Sequence, residues 1–179
     1  MSKTIICYTD GSASVAGKMA GQGGFGTYFP DLFGKKVAFS SGYKNAKVGQ
    51  MEVCALLYAI RAMPEKCLYP VTLEVYSDSE YVVKSFTENR LYNWVNNNWT
   101  NTSGEVKNRY LWEKIVSELS IRRYMTLKMK HIRSHQIEKE KCPIKKALLR
   151  KNPHIQGNLV VDMLADYKRH TILSDKLPE

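Results

Sequence analysis

The stretch KTIICYTDGSA, residues 3–13, decides how the chain is read. From Lys3 to Thr9 apolar, β-branched and aromatic residues alternate as in a strand, and Asp10-Gly11 reads as its end. One acid at a strand end is ordinary turn chemistry. Here it is the first of four. Glu52 in QMEVCALLYAI, Asp78 in EVYSDSEYVV and Asp162 in NLVVDMLA stand in similar settings, at a strand end or in the opening turns of a helix. Singly, Asp78 reads equally well as an N-cap and Glu52 as a complement to a helix dipole. Gathered together, the four would make a nest of like charge that water alone does not stabilise. Divalent cations held by carboxylate oxygens would stabilise it, and such sites do chemistry on phosphate.

Working outward, a Gly-rich turn spans Gly17 to Gly24, and Phe25–Phe29 and Val37–Tyr43 read as strands joined by the turn Pro30–Gly34. Short connections make these an antiparallel meander. Gln50–Met63 is apolar at nearly every position and too long for most strands, so it reads as a buried helix stopped by Pro64. Val71–Ser77 alternates again. Ser79–Phe86 reads as a short helix capped by Asp78 or Ser79, Val106–Leu119 as a helix and Tyr124–Ile132 as a basic strand. A loop from Arg133 to Gly157 then leads to a final helix, Asn158–His170. The fold class is α/β, a mixed sheet flanked by helices. Ligands of open α/β sheets sit at the carboxyl ends of strands, so Asp10 and Asp78 share an edge if their strands are neighbours.

The 179 residues fit one domain, 1–179, with 44% apolar and 25% charged side chains. No run approaches the roughly 18 apolar residues of a membrane span, and the apolar start is too short for a secretory signal. The chain reads as intracellular, with no membrane partner. Its net charge of +10 favours a polyanionic partner, and residues 121–170 hold 13 Lys and Arg against 4 Asp and Glu. Cys7, Cys54, Cys67 and Cys142 form no CxxC pair and no zinc-site spacing.

YTDGSA, the GGFG turn, ME with its ALL-A helix, YSDSEYV, HIRSHQ and N-VVDMLA resemble, in order, the motifs of the type 1 ribonuclease H family, across essentially the whole chain. The resemblance implies the βββαβαβα ribonuclease-H-like fold with a five-stranded mixed sheet. It implies two Mg²⁺ ions, with Mn²⁺ as a substitute, held by Asp10, Glu52, Asp78 and Asp162. It implies hydrolysis of the RNA strand of an RNA–DNA hybrid, leaving 5′-phosphate and 3′-hydroxyl ends, by a free-standing monomer. His135 matches the family's loop histidine, whose pKa near 6.5 suits proton transfer. Gly11, Ser12 and Gln50 match positions that sense the ribose 2′-hydroxyl, and Asn158 matches an asparagine that faces substrate. Gly21–Gly24 would let backbone approach the duplex, though a plain turn explains those glycines nearly as well. His131 reads as structural, and Asp166 as an exposed partner of Arg169 or His170.

The chain departs from the family pattern in three places. The handle-like segment, about 88–108, keeps Trp94, read as packing, and Trp99, read as a substrate contact, but has Val95, Asn96, Asn97 and Asn98 where basic residues are usual. Val48-Gly49 replaces an expected asparagine pair. His135 and Asp162 are separated by an extended basic loop, about 136–157, which is read as a replacement grip on phosphate. Two other readings compete: a related nuclease for a junction or DNA strand, and a non-catalytic hybrid-binding module.

Overall fold

The N-terminal alternation becomes a meander of three antiparallel strands, β1 (Lys3–Ala13), β2 (Gly23–Leu32) and β3 (Lys35–Tyr43). This computed structural model describes residues 3–17, 20–134 and 136–171. Beyond the meander come α1 (Val48–Arg61), β4 (Val71–Ser77), α2 (Glu80–Thr87) and α3 (Arg90–Asn96). A small hairpin of β5 (Thr100–Asn101) and β6 (Gly104–Glu105) precedes α4 (Arg109–Ile121) and β7 (Met125–His131). The chain ends in α5 (Gln136–Lys139), α6 (Pro143–Lys151) and α7 (Pro153–His170). β4 pairs parallel with β1, and β7 parallel with β4. The result is a five-stranded mixed sheet, as the resemblance implies, with its strands in the order β3-β2-β1-β4-β7.

Helix α1 explains its own composition. It lies against β1 and β2 on one side and α4 on the other, so residues on all its faces, from Met51 to Ile60, are buried. The opposite face of the sheet is covered by α7, which crosses β1, β2 and β3. Strand periodicity assigns side chains to these faces. Thr9 and Thr27 face α1, where Thr27 Oγ1 donates to the Ala55 carbonyl at 2.8 Å. Tyr8 and Asp10 face α7. Arg122, 4% exposed, ties α4 to the end of α1, donating from Nε to the Met63 carbonyl at 2.8 Å and from Nη1 to Glu118 Oε2 at 2.5 Å. Glu118 also accepts from Arg61 Nε at 2.7 Å.

Several boundaries differ from the sequence reading. β1 does not end at Asp10-Gly11 but continues to Ala13, paired with β2. Gly23 and Gly24 are strand residues rather than turn. Their missing side chains are required by packing, since a Cβ on Gly23 would meet Ala46 and Met51, and one on Gly24 the α7 backbone at Ala165 and Arg169. These glycines admit helices, not a duplex. The expected loop from Arg133 to Gly157 holds α5, α6 and the start of α7. Pro143 occupies the first turn of α6, and Asn152 caps α7 by accepting from the His154 and Ile155 amides at 2.9 and 3.4 Å. Asp162 therefore lies mid-helix rather than in opening turns, and Glu52 sits just past the first turn of α1. Ser79 is the cap of α2, its Oγ accepting from the Val82 amide at 3.4 Å.

Candidate active site

Parallel pairing of β1 with β4 stops at Thr9 and Ser77, and the next residue of each strand is an acid, Asp10 and Asp78. The sheet thus presents two carboxylates side by side at one edge. Glu52 arrives from α1 because Gly11 lets that helix come close: a Cβ on Gly11 would fall on the Glu52 backbone. On the other face Gly26, the register partner of Asp10, performs the same service for α7, where its Cβ would meet the Val161 carbonyl beside Asp162. Two bare α-carbons, one facing each way, thus flank the acidic edge.

Asp10, Glu52 and Asp78 each offer a carboxylate oxygen, and these atoms lie within 4.8 Å of one another. Asp10 and Glu52 are 7% exposed apiece. Burial pushes the Asp10 carboxyl up to about 7, with further contributions from the charges of Asp78 and Asp162 and opposition from the Gly11 backbone amide. Burial also raises Glu52 well above the usual carboxylate range, followed by Asp10 and Asp78. Among the described residues Glu52 Oε2 is buried with no hydrogen-bond partner. A buried, mutually repelling oxygen set with an orphaned acceptor fits a hard divalent cation. Asp162 is near enough to act on Asp10 but is not in the mutual 4.8 Å set.

The other expected site residues are distributed unevenly. His135 lies outside the described residues. Gly11 and Ser12 sit in β1 beside the triad, and Gln50 caps α1, its Oε1 accepting from the Lys47 amide at 2.8 Å. Asn158 is 6% exposed, with Oδ1 buried and without a hydrogen-bond partner, in a small recess it shares with Gln136 and Ile137. Trp94 is packing, as expected, with its ring 5.6 Å from Trp112. Trp99 is half-buried against the same cluster in a left-handed backbone conformation, φ 60°. Asp166 pairs with Arg169 and lies 3.8 Å from His170 Nδ1. His131 Nε2 lies 3.2 Å from the Asp78 carbonyl.

Sequence reasoning missed two features near the site. His154 stacks on Tyr76 with ring centroids 4.1 Å apart, and its Nδ1 is 2.9 Å from Tyr8 Oη, which anchors the start of α7 on the sheet. The clue was Asn152-Pro153, a cap followed by a first-turn proline, which starts the helix earlier than Asn158. The second is an open cavity of about 590 Å³ lined by Asp78, Arg133, Lys139 and Glu140, with Leu149 of α6.

A sequence profile of the family described as RNase H matches residues 2–169. A protein named Ribonuclease H from Chlorobium luteolum is 39% identical over 128 residues, covering 70% of this chain and 81% of that one. The PFV RNase H domain superposes with a TM-score of 0.69 at 23% identity, over 97% of this chain and 98% of that domain. A foamy viral protease–reverse transcriptase, solved with an RNA/DNA hybrid, gives a TM-score of 0.70 at 22% identity over 94% of this chain and 20% of that one. At these identities the two structures speak for the fold. Among the described residues no helix is long and apolar enough to cross a membrane.

Proposed function

The chain belongs to the ribonuclease H family, and from that premise we propose that it hydrolyses the RNA strand of RNA–DNA hybrids. The observation that carries the reading is the convergence of Asp10 within β1, Glu52 of α1 and Asp78 directly after β4. A hybrid bound to the foamy viral relative supports the substrate class.

Asp10, Glu52, Asp78 and Asp162 would hold two magnesium ions, with manganese as a substitute. Bound there, the ions would lower the pKa of a water and offset the charge developing at phosphorus. Asp10 and Asp78 would set where those cations sit at the sheet edge, and Glu52, carried by α1, would complete the inner wall of the site. In the hydrolysis water oxygen bonds to phosphorus while the bond from phosphorus to the 3′ oxygen breaks. A proton passes to that oxygen, so the products carry 5′-phosphate and 3′-hydroxyl ends. His135 would carry protons near this site, as the ordinary pKa of an imidazole allows.

The 2′-hydroxyl is the group that distinguishes the cut strand. Gly11, Ser12 and Gln50 are the candidates for sensing it, since they border the triad. Trp99 would support the duplex from the handle-like segment. Asn158 is a further candidate for facing the substrate. All four acids come from one chain, which supports action as a monomer, and four free cysteines support an intracellular setting.

Incubating the purified protein with RNA–DNA hybrid, double-stranded RNA and DNA, with and without magnesium, tests the proposal. Cleavage confined to the RNA of the hybrid, dependent on magnesium and lost in Asp10→Asn, is expected. Cleavage of DNA, or no magnesium-dependent cleavage at all, would overturn it.

A further inference from the structure

The cavity beside Asp78 is built by the extended segment after β7. Arg133 and Lys139 line it together with Leu149 of α6, and Asp78 is shared with the acidic triad. The Gln136 amide donates to the Arg133 carbonyl at 2.7 Å, which fixes the approach to α5. The acid of the lining from this segment, Glu140, is engaged locally, its Oε1 accepting from the Cys142 amide at 2.8 Å. His131 completes the floor. The cavity thus sets the cations Arg133 and Lys139 beside two carboxylates, Glu140, which is hydrogen-bonded to Cys142, and Asp78, through which it borders the acidic triad.

The opposite flank has the reverse character. The cleft of the handle-like segment, about 760 Å³, is lined by asparagines and threonines, and its cation is Arg90. That guanidinium is engaged with Glu88 at 2.6 and 2.9 Å. Residues 88–108 hold two basic and two acidic side chains, whereas 136–157 hold six basic and two acidic. The excess of positive charge therefore lies in residues 136–157 and not in 88–108.

We propose that this cavity is a backbone-phosphate subsite, in which Arg133 and Lys139 hold a phosphodiester of the strand being cut, next to the one seated at Asp78. The proposal rests on the hybrid-cleaving function above. Asp78 belongs both to the triad and to the cavity lining, so a strand leaving the triad on this side would enter the cavity. Arg133 offers a planar fork suited to two phosphate oxygens, and Lys139 a point charge. Lys145, Lys146, Arg150 and Lys151 on α6 extend the positive field outward along the same path.

The test measures binding of an RNA–DNA hybrid by Asp10→Asn protein as a function of potassium chloride. Adding Arg133→Ala and Lys139→Ala should weaken binding and make the slope of log affinity against log salt shallower by about 1–2. The charge-retaining pair Arg133→Lys and Lys139→Arg should keep the slope. Lys66→Ala with Arg123→Ala, which removes equal charge at the far end of the sheet, should leave it unchanged. An unaltered slope in the Arg133/Lys139 double variant, with its melting temperature intact, overturns the subsite alone, as does an equal change in the control pair. Failure of the Asp10→Asn protein to bind hybrid overturns the proposed function and the subsite with it.

Discussion

Gly11 lies so close to Glu52 that a methyl group on its α-carbon would occupy the space of the Glu52 backbone nitrogen. The absence of a side chain in β1 therefore sets how near α1 stands to the sheet, and with it the distance between Asp10 and Glu52. Gly11→Ala should destabilise the protein by about 1–3 kcal/mol through overpacking and lower hydrolysis more than stability alone explains. Gly49→Ala, where a Cβ would meet Asn108 and Tyr81 side chains at 3.5 and 3.8 Å, should be neutral or stabilising. Denaturant melts and initial rates on both variants check this; equal behaviour of the two would contradict it.

Isosteric neutralisation of the triad should separate folding from activity. Asp10→Asn, Glu52→Gln and Asp78→Asn should each lower hydrolysis by at least roughly 100-fold while leaving the fold intact. Retention of near-full activity by any one of them would remove that acid from the site.

The metal-free protein should carry a pH signature. Asp10 is held up to about 7 by burial and by Asp78 and Asp162, whereas the unfolded chain loses this proton near pH 3.9. Between those values the folded state binds more protons, so stability falls as pH rises. Magnesium competes with the proton, and should therefore raise the melting temperature more at about pH 8 than at about pH 5. In Asp10→Asn this difference should shrink. Equal magnesium shifts at both pH values in the parent protein would contradict the assignment.

Arg122 is a structural counterpart to these acids. Replacing it with Leu leaves the Met63 carbonyl without its guanidinium donor and Glu118 with Arg61 as its cationic partner, at a cost of about 3 kcal/mol. Equilibrium unfolding should show the loss, with hydrolysis at low temperature nearly unchanged. A loss under about 0.5 kcal/mol would mean that this network contributes little.

His154 should hold the added segment in place. His154→Ala removes both the stacking on Tyr76 and the contact with Tyr8 Oη. Residues 139–151 should then be cut sooner by protease, with the sheet still protected. Unchanged proteolysis would assign the anchoring to Ile155 and Asn152 instead.

Much of this architecture is legible in the residues. Two-fold alternation in Ile5, Cys7, Leu73 and Val75 and the all-apolar α1 specify a sheet with a buried helix, and Asp78 falls directly after a strand as its setting suggests, whereas Asp10 lies within β1 and Asp162 mid-helix. What escaped reading has identifiable causes. Glycines at 23 and 24 look like a turn because their reason, an approaching helix backbone, is non-local. The charge-rich stretch 136–157 looks like loop because α6 has no buried residue to give it a helical pattern. The burial of Asn158, inside α7, depends on non-local packing, which no local pattern reveals.

His154, Asn158 and Asp162 recur every fourth residue along α7, so one rigid rod links the anchor on Tyr8 and Tyr76 to the fourth carboxylate. Lengthening or trimming the chain ahead of Asn152 leaves Asp162 in register. A single residue inserted between His154 and Asp162 would instead swing the carboxylate about 100° around the axis. Evolution, or an engineer, has latitude on one side of that cap and almost none on the other.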